Sequence, residues 1–125
     1  METGNYKSKA FIYDTSKGFA RLIKRNFSDL YDINVCYKER NFDKFHLYDY
    51  NVAFVAINSY EELAELMKVK EKIKKVFVIT GDRGIQNEVS DFEGILLIDI
   101  DSSRKEAMRQ IGSFLNFLDN HALST

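Results

Sequence analysis

Four short apolar runs each stop in a polar cluster: Ala10 to Tyr13 before Asp14-Thr15, Val52 to Ile57 before Asn58-Ser59, Val76 to Ile79 before Thr80-Gly81-Asp82, and Ile95 to Ile98 before Asp99. Continuous runs of this kind fit strands buried on both faces of a parallel sheet, with their loops delivered to one edge. The segments between them change period. Phe19, Leu22, Ile23, Phe27 and Leu30 describe one face of a helix opening near Thr15 or Ser16. Leu63, Leu66, Met67 and Ile73 mark the buried face of another, and Ala107, Met108, Ile111, Leu115 and Leu118 that of a last helix running to about Asp119. Ser59 to Glu62 and Ser103 to Glu106 carry the capping-box spacing, in which hydroxyl and carboxylate reciprocally satisfy free amide donors at a helix start. Ile33 to Tyr37 alternates, as suits an edge strand, while Asn41 to Asp49, with Phe42, Phe45 and Tyr48, predicts a short helix. Arg83 to Phe92 leaves room for only a short or irregular one.

Strands and helices thus alternate five times, which predicts a doubly wound α/β domain: a five-stranded parallel sheet with right-handed crossovers and helices on both faces. In a chain of 125 residues the flavodoxin-like strand order 2-1-3-4-5 fits best. The domain is expected over residues 9–119, with an extended or disordered tail at 1–8 and a short tail at 120–125. Phe54 and Val78 are expected in the core, on the two central strands.

With the strands placed, Lys9-Ala10-Phe11-Ile12-Tyr13-Asp14, Val52-Ala53-Phe54-Val55-Ala56-Ile57-Asn58 and Val76-Phe77-Val78-Ile79-Thr80-Gly81 resemble the response-regulator receiver family of two-component signal transduction. The resemblance covers residues 9–119 and implies a three-layer α/β/α domain. Members of that family accept a phosphoryl group on an aspartate at the end of the third strand. They hold a divalent cation with two acidic residues after the first strand, and use a Thr or Ser after the fourth and a Lys after the fifth. Carboxylates are the hard oxygen ligands that Mg²⁺ prefers, and cations offset charge on the transferring phosphoryl.

Against that pattern, Asp14 matches the first acidic residue, but Thr15 stands in place of the second and brings no charge. Ala56 occupies the phosphoacceptor position, and no Asp or Glu occurs from Asn51 to Tyr60. Thr80 matches the hydroxyl, but no Lys occurs from Leu96 to Arg104, and no aromatic from Gly94 to Ser102. The resemblance therefore implies a degenerate, or pseudo-receiver, member: Asp14, Thr15, Ala56 and Thr80 form a phosphorylation site without its nucleophile.

Composition narrows the alternatives. A net charge of -1 argues against nucleic acid as a partner. The basic run from Lys68 to Lys75 reads as the solvated end of a helix, its cations near the negative pole. The lone Cys36 excludes an intrachain disulfide and reads as a buried thiol. No apolar run is long enough to span a bilayer and residues 1–9 form no signal sequence, so a cytoplasmic location without membrane contact is expected. His46 and His121 lack zinc-site spacing, and Thr80-Gly81-Asp82-Arg83-Gly84 lacks the Gly-Lys-Ser/Thr ending of a phosphate-binding loop.

Two functional readings remain. In the first, the chain is a stand-alone, non-enzymatic signalling or interaction module that needs no cofactor. It binds a protein partner or a second copy of itself through Phe114, Phe117 and His121, which widen the apolar stripe of the last helix. In the second, Asp14, Asp82, Asp99 and Asp101 converge at the carboxyl edge of the sheet to hold a metal or small molecule in an enzyme-like site.

Overall fold

The computed structural model describes residues 7–16, 18–99 and 103–123, and for 99 and 116–123 it describes the backbone only. Five parallel strands, β1 (Ser8–Tyr13), β2 (Tyr31–Cys36), β3 (Val52–Ala56), β4 (Lys75–Thr80) and β5 (Ile95–Asp99), form one sheet in the order β2-β1-β3-β4-β5. This is the doubly wound 2-1-3-4-5 arrangement that the pattern of apolar runs predicts. The helices are α1 (Gly18–Phe27), α2 (Leu63–Lys72), α3 (Arg83–Val89) and α4 (Arg104–Leu123).

Alternation along each strand divides the core in two. Ala10, Ile12, Val52, Phe54, Ala56, Phe77, Ile79 and Ile98 face α1 and α4, where they meet Phe19, Ile23, Met108 and Ile111. Phe11, Tyr13, Ala53, Val55, Val76 and Val78 face the other side, against Leu66, Val69, Ile85 and Val89. Phe54 and Val78 are both buried, as expected, and the rings of Phe54 and Phe77 stack 5.0 Å apart.

Several local expectations are corrected. α1 opens at Gly18 rather than near Thr15 or Ser16, and Leu30 lies past its end, exposed. The segment read as one short helix is two 3₁₀ helices, Glu39–Lys44 and Leu47–Asp49. There Phe42 and Leu47 are buried while Tyr48 is exposed. A 3₁₀ turn, Tyr60–Glu62, precedes α2 and sets its phase so that Glu62, Glu65, Leu66, Val69 and Ile73 face inward and Met67 is exposed. The Ser59 box does not form: the Ser59 side chain makes no cap, and Glu62 reaches Asn58 N instead. The Ser103 box is half formed. Ser103 Oγ accepts from Glu106 N, whereas the Glu106 carboxylate accepts from Arg109 and Gln110. α4 runs to Leu123, past Asp119, with Ala107, Met108, Ile111 and Leu115 buried. Ile100 and the Leu118 side chain lie outside the described residues. Among the described residues no helix is long and apolar enough to cross a membrane.

Candidate functional site

Parallel pairing brings the carboxyl ends of the strands together. Tyr13 pairs with Val55, Ala56 with Ile79, and Thr80 with Asp99. Asp14, one residue beyond Tyr13, is therefore level with Ala56, and four of the sequence-predicted positions share one edge: Asp14, Ala56, Thr80 and Asp99.

Asp14 is fully buried, and its carboxylate is occupied by its own loop. Oδ1 accepts from Ser16 N at 3.0 Å and Ser16 Oγ at 2.6 Å, and Oδ2 accepts from Ala20 N at 2.9 Å. Such bonds satisfy free donors in the first turn of α1, the work of a helix cap. Ala56 is 4% exposed and belongs to the apolar cluster beneath α1 and α4. Thr80, also buried, accepts at Oγ1 from Asp82 N at 3.2 Å. Asp82 in turn caps α3, its Oδ1 accepting from Ile85 N at 3.0 Å. Asp99 ends β5, with its side chain outside the described residues, as are Asp101 and the side chains of Phe117 and His121. Among the described residues no group of three or more His, Cys, Asp or Glu is set to hold a metal ion.

The residue that sequence reasoning assigned elsewhere is Glu62. Buried at the entrance to α2, it accepts from Thr15 Oγ1 at 2.9 Å and from Asn58 N at 2.7 Å. A carboxylate thus bridges the loops after β1 and β3, 47 residues from its Thr15 partner. A second carboxylate follows at Glu65, buried, with Oε1 lacking a hydrogen-bond partner. Burial, then the neighbouring Glu39, raise its pKa above the ordinary glutamate value, against a smaller opposing pull from Lys68. The fully buried Tyr13 hydroxyl is likewise unpartnered, and burial, then Glu62 and Glu65, push its pKa up. Burial also raises the Cys36 thiol, which donates to Lys38 O at 3.1 Å. Across the edge, the Arg104 guanidinium reaches the first turn of α1, 3.9 Å from where a Cβ on Gly18 would stand. The sequence signal for Glu62 was the spacing Glu62, Glu65, Leu66, Val69, Ile73, a regular inward stripe that two carboxylates disguise.

At the partner surface expected on α4, Phe114 is 37% exposed, and its ring lies 6.2 Å from that of Phe77. It is therefore partly a core residue.

No protein-family model matches the chain, and no curated protein matches it. A solved structure does: a CheY-like response regulator receiver domain from Methanospirillum hungatei, 13% identical, with a TM-score of 0.59 over 93% of this chain and 99% of that one. The chain therefore has a receiver-like, flavodoxin-type fold.

Proposed function

We propose that the protein is a receiver-like signalling module that works without a phosphoryl group on aspartate, and that it acts by binding a protein partner or a second copy of itself rather than by catalysis. The observation that carries this reading is Ala56, an apolar side chain packed at the end of β3 where the receiver nucleophile would stand. An alanine methyl cannot attack phosphorus. The surrounding polar groups support the same reading: Asp14 is committed to α1 and Thr15 to Glu62, so neither is a free ligand for a divalent cation. The enzyme-like alternative draws no support from Asp14 and Asp82, whose oxygens serve backbone donors of α1 and α3.

The test is intact-mass measurement after incubation with acetyl phosphate and Mg²⁺. No mass gain is expected, and an acid-labile gain of one phosphoryl group would overturn the reading. Ala56→Asp in the same assay is expected to remain short of full labelling, because Thr15 still supplies no charge for the metal.

A further inference from the structure

Opposite the site just described, at the edge where the strands begin, lysines collect from four separate segments. Lys7 and Lys9 lie at the start of β1, Lys24 in the last turn of α1, Lys72 at the end of α2, and Lys74 and Lys75 at the start of β4. They line two grooves. One, of about 540 Å³, contains Lys7, Lys9 and Lys24 with a single acid, Asp32. The other, of about 340 Å³, contains Lys72, Lys74 and Lys75 with no acid.

The grooves meet at Lys9 and Tyr50. Lys9 lines the first, and its Nζ lies 5.2 Å from the centre of the Tyr50 ring, which lines the second. Asn51 fixes this junction by exchanging two 2.8 Å hydrogen bonds with the Lys9 backbone. Helix polarity accounts for Lys24 and Lys72, which end helices. It does not account for Lys7, Lys9, Lys74 and Lys75, which sit on strand starts and loops. Among the described residues none of the six forms an ion pair; the pairs are Lys68 with Asp43 and Arg109 with Glu106. In a chain of net charge -1, six lysines without an ion pair on one edge, one of them (Lys7) donating to Ser28 O at 3.1 Å, are a local concentration of positive potential.

We propose that this edge is a docking surface for an acidic segment of a partner protein, an extended stretch rich in Asp and Glu. Two observations favour a peptide over nucleic acid. The chain as a whole has a net charge of -1 and lacks the overall basic excess that neutralising a run of backbone phosphates calls for. Tyr50, at the junction of the grooves, is also engaged rather than offered to bases, lying against Lys9 and Phe11. The proposal makes no use of the phosphorylation site, so it and the preceding reading stand or fall separately.

The test is fluorescence anisotropy of a labelled oligoglutamate peptide, with labelled oligothymidylate and phosphatidylserine vesicles as competing arms. Lys24→Glu/Lys75→Glu is compared with Arg83→Glu/Lys105→Glu, which carries the same change in net charge at the opposite end; circular dichroism checks that each folds. Where the reversal does not fold, Lys24→Gln/Lys75→Gln takes its place. The wild type is expected to bind the peptide, the amino-edge variant about tenfold more weakly, and the opposite-end variant within about twofold of wild type. Failure of the wild type to bind, equal loss in both variants, or tighter binding to oligothymidylate or vesicles than to peptide would each overturn the proposal.

Discussion

Glu65 shows how one side chain can carry an energetic cost inside a well-packed fold. It is buried on the inward face of α2 with one oxygen unpartnered, near Glu39 and Glu62. Its folded-state pKa is raised, so between the unfolded and folded values the native state binds more protons than the unfolded chain, and stability falls as pH rises through that window. Glu65→Gln keeps the shape and removes the charge. It is expected to be more stable than wild type at neutral pH, with the gain disappearing below the ordinary glutamate value of 4.5. Urea titrations across that range decide it; an equal difference at every pH would mean that the charge is not the cause. Glu62 differs in having two donors, one from each loop it joins, and hydrogen bonds to a charged group are each stabilising by about 1.5–3 kcal/mol.

Among the elements, β3 is the one most completely enclosed, with every residue from Val52 to Ala56 buried. Phe54 fills the space beneath α1 and α4 and stacks on Phe77. Phe54→Ala is therefore expected to lower unfolding free energy by about 3–5 kcal/mol, from lost burial plus the cavity left behind. A denaturant titration giving a loss below about 1 kcal/mol would show that the site collapses freely around the smaller side chain. At the entry to β5, Gly94 adopts φ +79, a conformation that costs an L side chain about 1–2 kcal/mol, and this is where the short α3 connection turns back into the sheet.

For the whole molecule, the question is which surface meets a partner. The contact proposed on α4 predicts that Phe117→Glu reduces self-association while leaving the buried Ile111 and Leu115 untouched. Sedimentation reports the mass and circular dichroism the fold. A dimeric wild type whose Phe117→Glu form stays folded and dimeric would exclude α4 as the dimer contact; a monomeric wild type would exclude self-association and leave a different protein as the partner.

The strands were legible because a central parallel strand is buried on both faces and must read as an unbroken apolar run; Val52 to Ile57 and Val76 to Ile79 do so, alternation with helices makes the sheet parallel, and 2-1-3-4-5 is the doubly wound order that suits five strands in this length. The alanine at position 56 was equally plain, since a residue type needs no coordinates. The inward face of α2 was not. Glu62 and Glu65 stand at two positions of its stripe, and an apolar pattern cannot register a carboxylate that is buried because distant groups surround or bond it. The lysine edge escaped for a related reason. The Lys68 to Lys75 run is partly helix and partly strand start, and its companions Lys7, Lys9 and Lys24 lie far away along the chain. Local sequence determines periodicity and chemistry residue by residue; which charges share a surface, and which carboxylate closes a loop, depend on pairings across tens of residues that only the closed sheet brings within reach.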